Sequence, residues 1–157
     1  MKSLPVHFYA QKNNLSSTKT TGRVPFESIT LNIGGAMDAS SGIFTTPRNG
    51  IYSFHFTGVV YYPWTVKRLD ISLCLLLNDK EIGCSNTDLG PRSYGSYHTH
   101  SLHSTLDLKS GDKVWISTPE RYADVLYTGA HLYENNHHYT HFTGHLVREN
   151  VANSFNN

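Results

Sequence analysis

Apolar and polar positions alternate with a period of two along most of the chain. Val6, Phe8 and Ala10 alternate with His7 and Tyr9, and Tyr52, Phe54 and Phe56 with Ser53, His55 and Thr57. Leu102, Leu106 and Leu108 share one side of a third run, opposite His103, Thr105 and Asp107. Phe142, Gly144 and Leu146 alternate in the same way with His141, Thr143 and His145. Successive side chains of a strand point to opposite faces, so each run sends one set into a core and the other outward. Turn-forming residues at 47–50, 78–81, 90–91 and 109–112 separate the runs. No segment keeps a 3.6-residue apolar period over three turns. Many short strands with regular turns predict an all-β sandwich or jelly roll rather than a βαβ fold.

Composition narrows the class. The chain has 157 residues, with 13 basic side chains against 12 acidic ones. That balance is too even for a surface that tracks phosphates, so nucleic acid is not an expected partner. No apolar run approaches the roughly 20 residues a membrane-crossing helix needs, and no membrane insertion is expected. Charged residues make up 16%, well below the roughly 25% of an average domain. Tyrosine and histidine, ten of each, take up part of the difference. Met1-Lys2-Ser3 leads into strand-like residues with no apolar leader run. Of the two readings this allows, a cytosolic protein or a mature secreted domain, we expect the second.

Spaced anchors between Phe26 and Phe56 narrow the fold further. Phe26, Asn32, Met37, Phe44, Gly50, Tyr52, Phe54 and Phe56 fall at the spacings of a known signature. It resembles that of the C1q globular head, the jelly-roll module shared with the tumour necrosis factor ligands. Met37 stands where an aromatic or Leu is usual, and its flexible thioether can fill that space. Residues 42–47, the pair Leu106 and Leu108 with residues 111–115, and residues 141–146 resemble later pieces of the same pattern, in family order.

The resemblance implies a ten-stranded jelly roll at residues 5–147 that forms a homotrimer. Residues 1–4 are then an N-terminal extension and 148–157 a disordered C-terminal tail. It also implies an extracellular, secreted protein, with which the glycosylation triplet at Asn14 agrees. Cys74 and Cys84 flank a turn, and the family's complement chains join roughly these two strands by a disulfide; two free thiols are the alternative.

Candidate sites follow from histidines and tyrosines. His141 and His145 lie on one side of the closing strand, which in the family faces the three-fold axis. With His103 they are candidate ligands for zinc or nickel, or neutral interface side chains that would make the trimer pH-sensitive. Calcium is less expected, because the loop at 133–139 holds a single carboxylate. No cofactor is required. Loops at 61–68, 88–100 and 119–138 carry the aromatics Trp64, Tyr94, Tyr97, Tyr122 and Tyr133, which suit stacking on a sugar or contact with a cell-surface protein. No nucleophile elbow, zinc-protease helix, P-loop or dinucleotide fingerprint occurs, so no enzyme is expected. The expectation is a trimeric, lectin-like recognition module of innate immunity. The alternative is a receptor-binding ligand or scaffold of the cerebellin or adiponectin kind.

Overall fold

A computed structural model describes residues 3–13, 22–62, 69–89, 95–118, 131–135 and 137–151. They hold twelve strand segments and no helix: β1 (His7–Gln11), β2 (Gly22–Arg23), β3 (Ser28–Ile33), β4 (Met37–Asp38), β5 (Ile43–Thr45), β6 (Gly50–Tyr62), β7 (Leu69–Leu77), β8 (Lys80–Leu89), β9 (Ser96–Leu108), β10 (Lys113–Thr118), β11 (His131–Leu132) and β12 (His141–Glu149). The segments form two antiparallel sheets. One runs β3-β1-β12-β6-β9, with β11 continuing the β12 side of β6 beyond Thr57. The other runs β4-β5-β10-β7-β8, with β2 on β10. This is the all-β jelly roll that the alternation predicts.

The core forms where the inward positions of the two sheets meet. Phe8, Phe26, Phe44, Tyr52, Phe54, Phe56 and Phe142 are buried together. Their rings interlock at tilted and edge-on angles, with Phe8 and Phe142 centroids 5.1 Å apart and Phe44 and Phe54 5.3 Å apart. Such offset contacts add to the gain from area removed from water. Most of the anchors spaced along the sequence are thus core side chains. Asn32 acts differently: its amide donates to the Met37 carbonyl at 2.9 Å and accepts from the Met37 N–H at 3.3 Å. That pair closes the tight turn through Gly34 and Gly35, both at positive φ.

The hairpin between β7 and β8 turns through Asn78 and Asp79, both at positive φ, the conformation that matches strand twist in two-residue turns. It places Cys74 opposite Cys84, and the two are joined in a disulfide. Arg48 pairs with Glu149 at 3.6 Å and bonds the Leu4 carbonyl, which ties the segment before β1 to the end of β12. β12 runs through Arg148 and Glu149, two residues into the segment expected to be a disordered tail.

Candidate functional site on the outer face of the first sheet

Register decides what the outer face of the β3-β1-β12-β6-β9 sheet displays. Odd-numbered residues of β6 and β9 pair directly: Ser53 with Thr105, His55 with His103, Thr57 with Ser101, Val59 with Thr99 and Tyr61 with Tyr97. β12 adds His141, Thr143 and His145 beside Thr57, His55 and Ser53. β1 adds His7 and Tyr9 beside His145 and Thr143. Among the described residues of β1, β6, β9 and β12 that face this way, Asp107 at the base end is the one Asp, Glu, Lys or Arg before the β12 bulge. Ile33 beside His7, Leu31 beside Tyr9, and Ile51 and Val59 of β6 add apolar positions, so the face is mixed, with almost no fixed charge.

Histidines occupy its lower half. The rings of His55 and His103 stack 3.9 Å apart at 17°. His7 and His145 are 5.5 Å apart, and His141 stacks on Tyr9 at 5.7 Å. Burial, with the charges of His103 and His145 adding to it, pushes the His55 imidazole below the ordinary histidine value of 6.5. Neutral rings are the state in which histidine binds a metal. The Ser53 hydroxyl lies 3.3 Å from His103 Nε2.

Of the three histidines expected to act together, all face outward, but a single chain does not bring them together. β6 lies between β9, which carries His103, and β12, which carries His141 and His145. His103 instead meets His55, which spacing alone does not single out, since the pairing depends on the register of two long strands. Among the described residues, the one trio of His, Cys, Asp or Glu ligand atoms within 4.8 Å of one another is Cys74, Glu81 and Cys84. Its sulfurs are taken up in the disulfide.

Tyrosines occupy the upper half. Val59, Tyr97, Thr99, Tyr133 and Tyr139 line a cleft of about 350 Å³. Tyr97 is 58% exposed, and its ring meets those of Tyr61 and Tyr133, each at 4.9 Å. Tyr139 lies 5.9 Å beyond Tyr133. Two of the expected ligand-binding aromatics, Tyr97 and Tyr133, therefore belong to one site, which also contains Tyr139. Tyr97 stands on β9 and not in a loop, because that strand begins at Ser96. Trp64, Tyr94, Tyr122 and the Asn14 triplet lie outside the described residues. Beside the cleft Glu134 is buried and one of its oxygens accepts the Thr140 N–H. The loop's single carboxylate thus points inward, which fits poorly with a calcium site there.

Residues 7–147 match the C1q domain family. The chain is 30% identical over 122 residues to human complement C1q tumor necrosis factor-related protein 3, covering 74% of this chain and 41% of that protein. It is 27% identical over 160 residues to zebrafish Caprin-2, covering 92% of this chain and 15% of that protein. The chain thus spans less than half the length of these curated relatives. The solved globular domain of zebrafish complement 1qA superposes with a TM-score of 0.64 at 20% identity, covering 92% of this chain and 99% of that one. A match along both sheets, with the anchor residues in the core they build, leaves one assignment: the chain belongs to the C1q domain family.

Proposed function

We propose that this chain is the head of a secreted, trimeric recognition protein that binds glycans in innate immunity. The observation that carries the ligand class is the tyrosine cleft. Its rings present flat apolar faces to the C–H face of a pyranose, while tyrosine hydroxyls and Thr99 can bond to sugar hydroxyls. Three such clefts on one rigid head would act together, raising avidity without new contacts. Family membership and the charge-poor sheet face support assembly, since interface centres are depleted of charged residues. The disulfide between Cys74 and Cys84 supports secretion, because such bonds persist in oxidising compartments. Catalysis is not proposed.

A second reading has its own support. Tyr97 projects from the same face that would meet a neighbouring copy, and tyrosine is enriched in protein interfaces. The cleft would then seat a protein, as in a receptor-binding ligand of the cerebellin or adiponectin kind. Glycan-array binding and sedimentation mass of wild type, Tyr97→Ala and Tyr133→Ala separate the two. Glycan binding that falls at least tenfold in intact trimers supports recognition of sugar. No glycan binding by wild type overturns it, and trimers that dissociate on Tyr97→Ala place the cleft in the subunit contact.

A further inference from the structure

We propose that His55 and His103 form the intramolecular half of a site for a borderline divalent metal such as zinc, nickel or copper. The remaining ligands come from a neighbouring copy of the chain, so the site rests on the assembly proposed above.

Geometry supplies the first argument. The two residues are directly opposed on β6 and β9, with rings 3.9 Å apart and nearly parallel. Directly opposed side chains on an antiparallel pair start from Cβ atoms roughly 5 Å apart. Two nitrogens bound at roughly 2.1 Å to one tetrahedral ion need to lie only slightly more than 3 Å from each other. In the stack the in-plane lone pairs run side by side, so the two exposed rings must turn to other χ1 and χ2 settings to converge on one ion. Ser53, 3.3 Å from His103 Nε2, holds one nitrogen of that ring and leaves Nδ1 to coordinate. Outer hydrogen bonds of this kind orient metal-binding histidines.

The donor set supplies the second. By register the pair's neighbours on this face are Ser53, Thr57, Ser101, Thr105 and Thr143, with His145 diagonal to His55 and no carboxylate among them. Imidazole without oxygen anions suits zinc, copper or nickel and does not suit calcium or magnesium.

The third is incompleteness. Two imidazoles leave a tetrahedral ion two ligands short, and no other His, Cys, Asp or Glu of the same chain completes a close trio among the described residues. His55 and His103 lie toward the β9 edge of the face, while His7 and His145 form a second pair toward β1. In a cyclic assembly one flank of a patch meets the other flank of the next copy. The His7–His145 side of a neighbour would then face the open side of the His55–His103 pair. Metal binding and assembly are coupled in such a site, each strengthening the other.

The test strips the chain of metal with a chelator, then follows sedimentation across protein concentration with added Zn²⁺, Ni²⁺ or Ca²⁺. Wild type is compared with His55→Asn, His103→Asn and the loop control His137→Asn, with melting temperature as a check of folding. Zinc or nickel should lower the concentration of half-assembly at least tenfold in wild type and His137→Asn. Calcium should not, and both face variants should lose the response. A trimer that forms equally well with and without zinc, and binds it no better than His55→Asn, overturns the metal site and leaves the assembly standing. A chain that stays monomeric throughout, with or without zinc, overturns both.

Discussion

The Tyr62 hydroxyl lies 3.2 Å from Nε2 of His100, inside the sandwich, where both residues are almost wholly buried. Thr87 Oγ1 also approaches that nitrogen, at 3.0 Å. The other nitrogen, Nδ1, faces the Ser85 carbonyl at 3.2 Å. A carbonyl can only accept, so Nδ1 carries the proton and Nε2 accepts from the two hydroxyls. One neutral histidine thus links β6, β8 and β9.

This arrangement predicts acid sensitivity of the fold. Burial, as the largest cause, and the nearby charge of His98 lower the His100 value below its ordinary 6.5. The folded chain therefore binds fewer protons than the unfolded one, and stability rises with pH in that window. The contribution is fully present above about 6.5 and is lost as pH drops from there toward the folded value. Denaturation midpoints measured from pH 8 to pH 5 should fall more steeply for wild type than for His100→Gln. Identical slopes would remove His100 from the account.

Gly144 should not tolerate a methyl group. A Cβ there would lie 2.6 Å from Phe54 Cδ1 and 2.6 Å from Phe8 Cε1, both buried rings. Overpacking of this kind costs about 1–3 kcal/mol. Gly144→Ala should lower the unfolding free energy from urea denaturation by that amount, with an unchanged slope. A neutral result would mean that the two rings can shift freely.

The outcome at β9 shows which parts of this architecture could be read from the chain. Where inward positions are apolar, as in 52, 54 and 56, alternation alone identifies strand and core. The inward positions at the start of β9 are Ser96, His98 and His100, so that stretch reads as a loop. It is a strand because Ser85, Thr87 and Tyr62 satisfy His100 from three sides. Spacing likewise places His141 and His145 on one face, but it carries no information on which strands neighbour each other. The pairing of His55 with His103 arises from residues 48 apart in sequence meeting in register. Tyr139 joined the cleft for a similar reason, through the folding back of the segment before β12.

Reducing the disulfide should cost measurable stability without altering the fold. Cys74 and Cys84 close a loop of sequence separation 10, and cross-links of that length contribute about 2–3 kcal/mol by restricting the unfolded chain. The partner strands keep their register through the hairpin turn and the β7–β10 pairing. Denaturation with and without reductant should differ by that amount, and a Cys74→Ala/Cys84→Ser variant should be insensitive to reductant. Equal midpoints with and without reductant in wild type would show that the bond contributes nothing.

Ser101→Glu should separate assembly from folding. Ser101 is exposed on β9, pairs with Thr57, and sits mid-face between the histidine and tyrosine halves. In an isolated chain the new carboxylate would remain in water, and exposed substitutions of this kind change stability by no more than about 0.5 kcal/mol. In a chelator-treated, metal-free assembly closed through this face it would be buried among Thr and His with no cation beside it. A charge left unpaired in an interface costs several kcal/mol. The dissociation constant of the trimer should therefore rise at least a hundredfold while the melting temperature of dilute, dissociated chains stays unchanged. Lys80→Glu, on the hairpin of the opposite sheet, should leave assembly intact and serves as the control for added negative charge. Trimers of Ser101→Glu as stable as wild type would show that the subunits meet through some other surface, and the charge-poor face would then need another occupant.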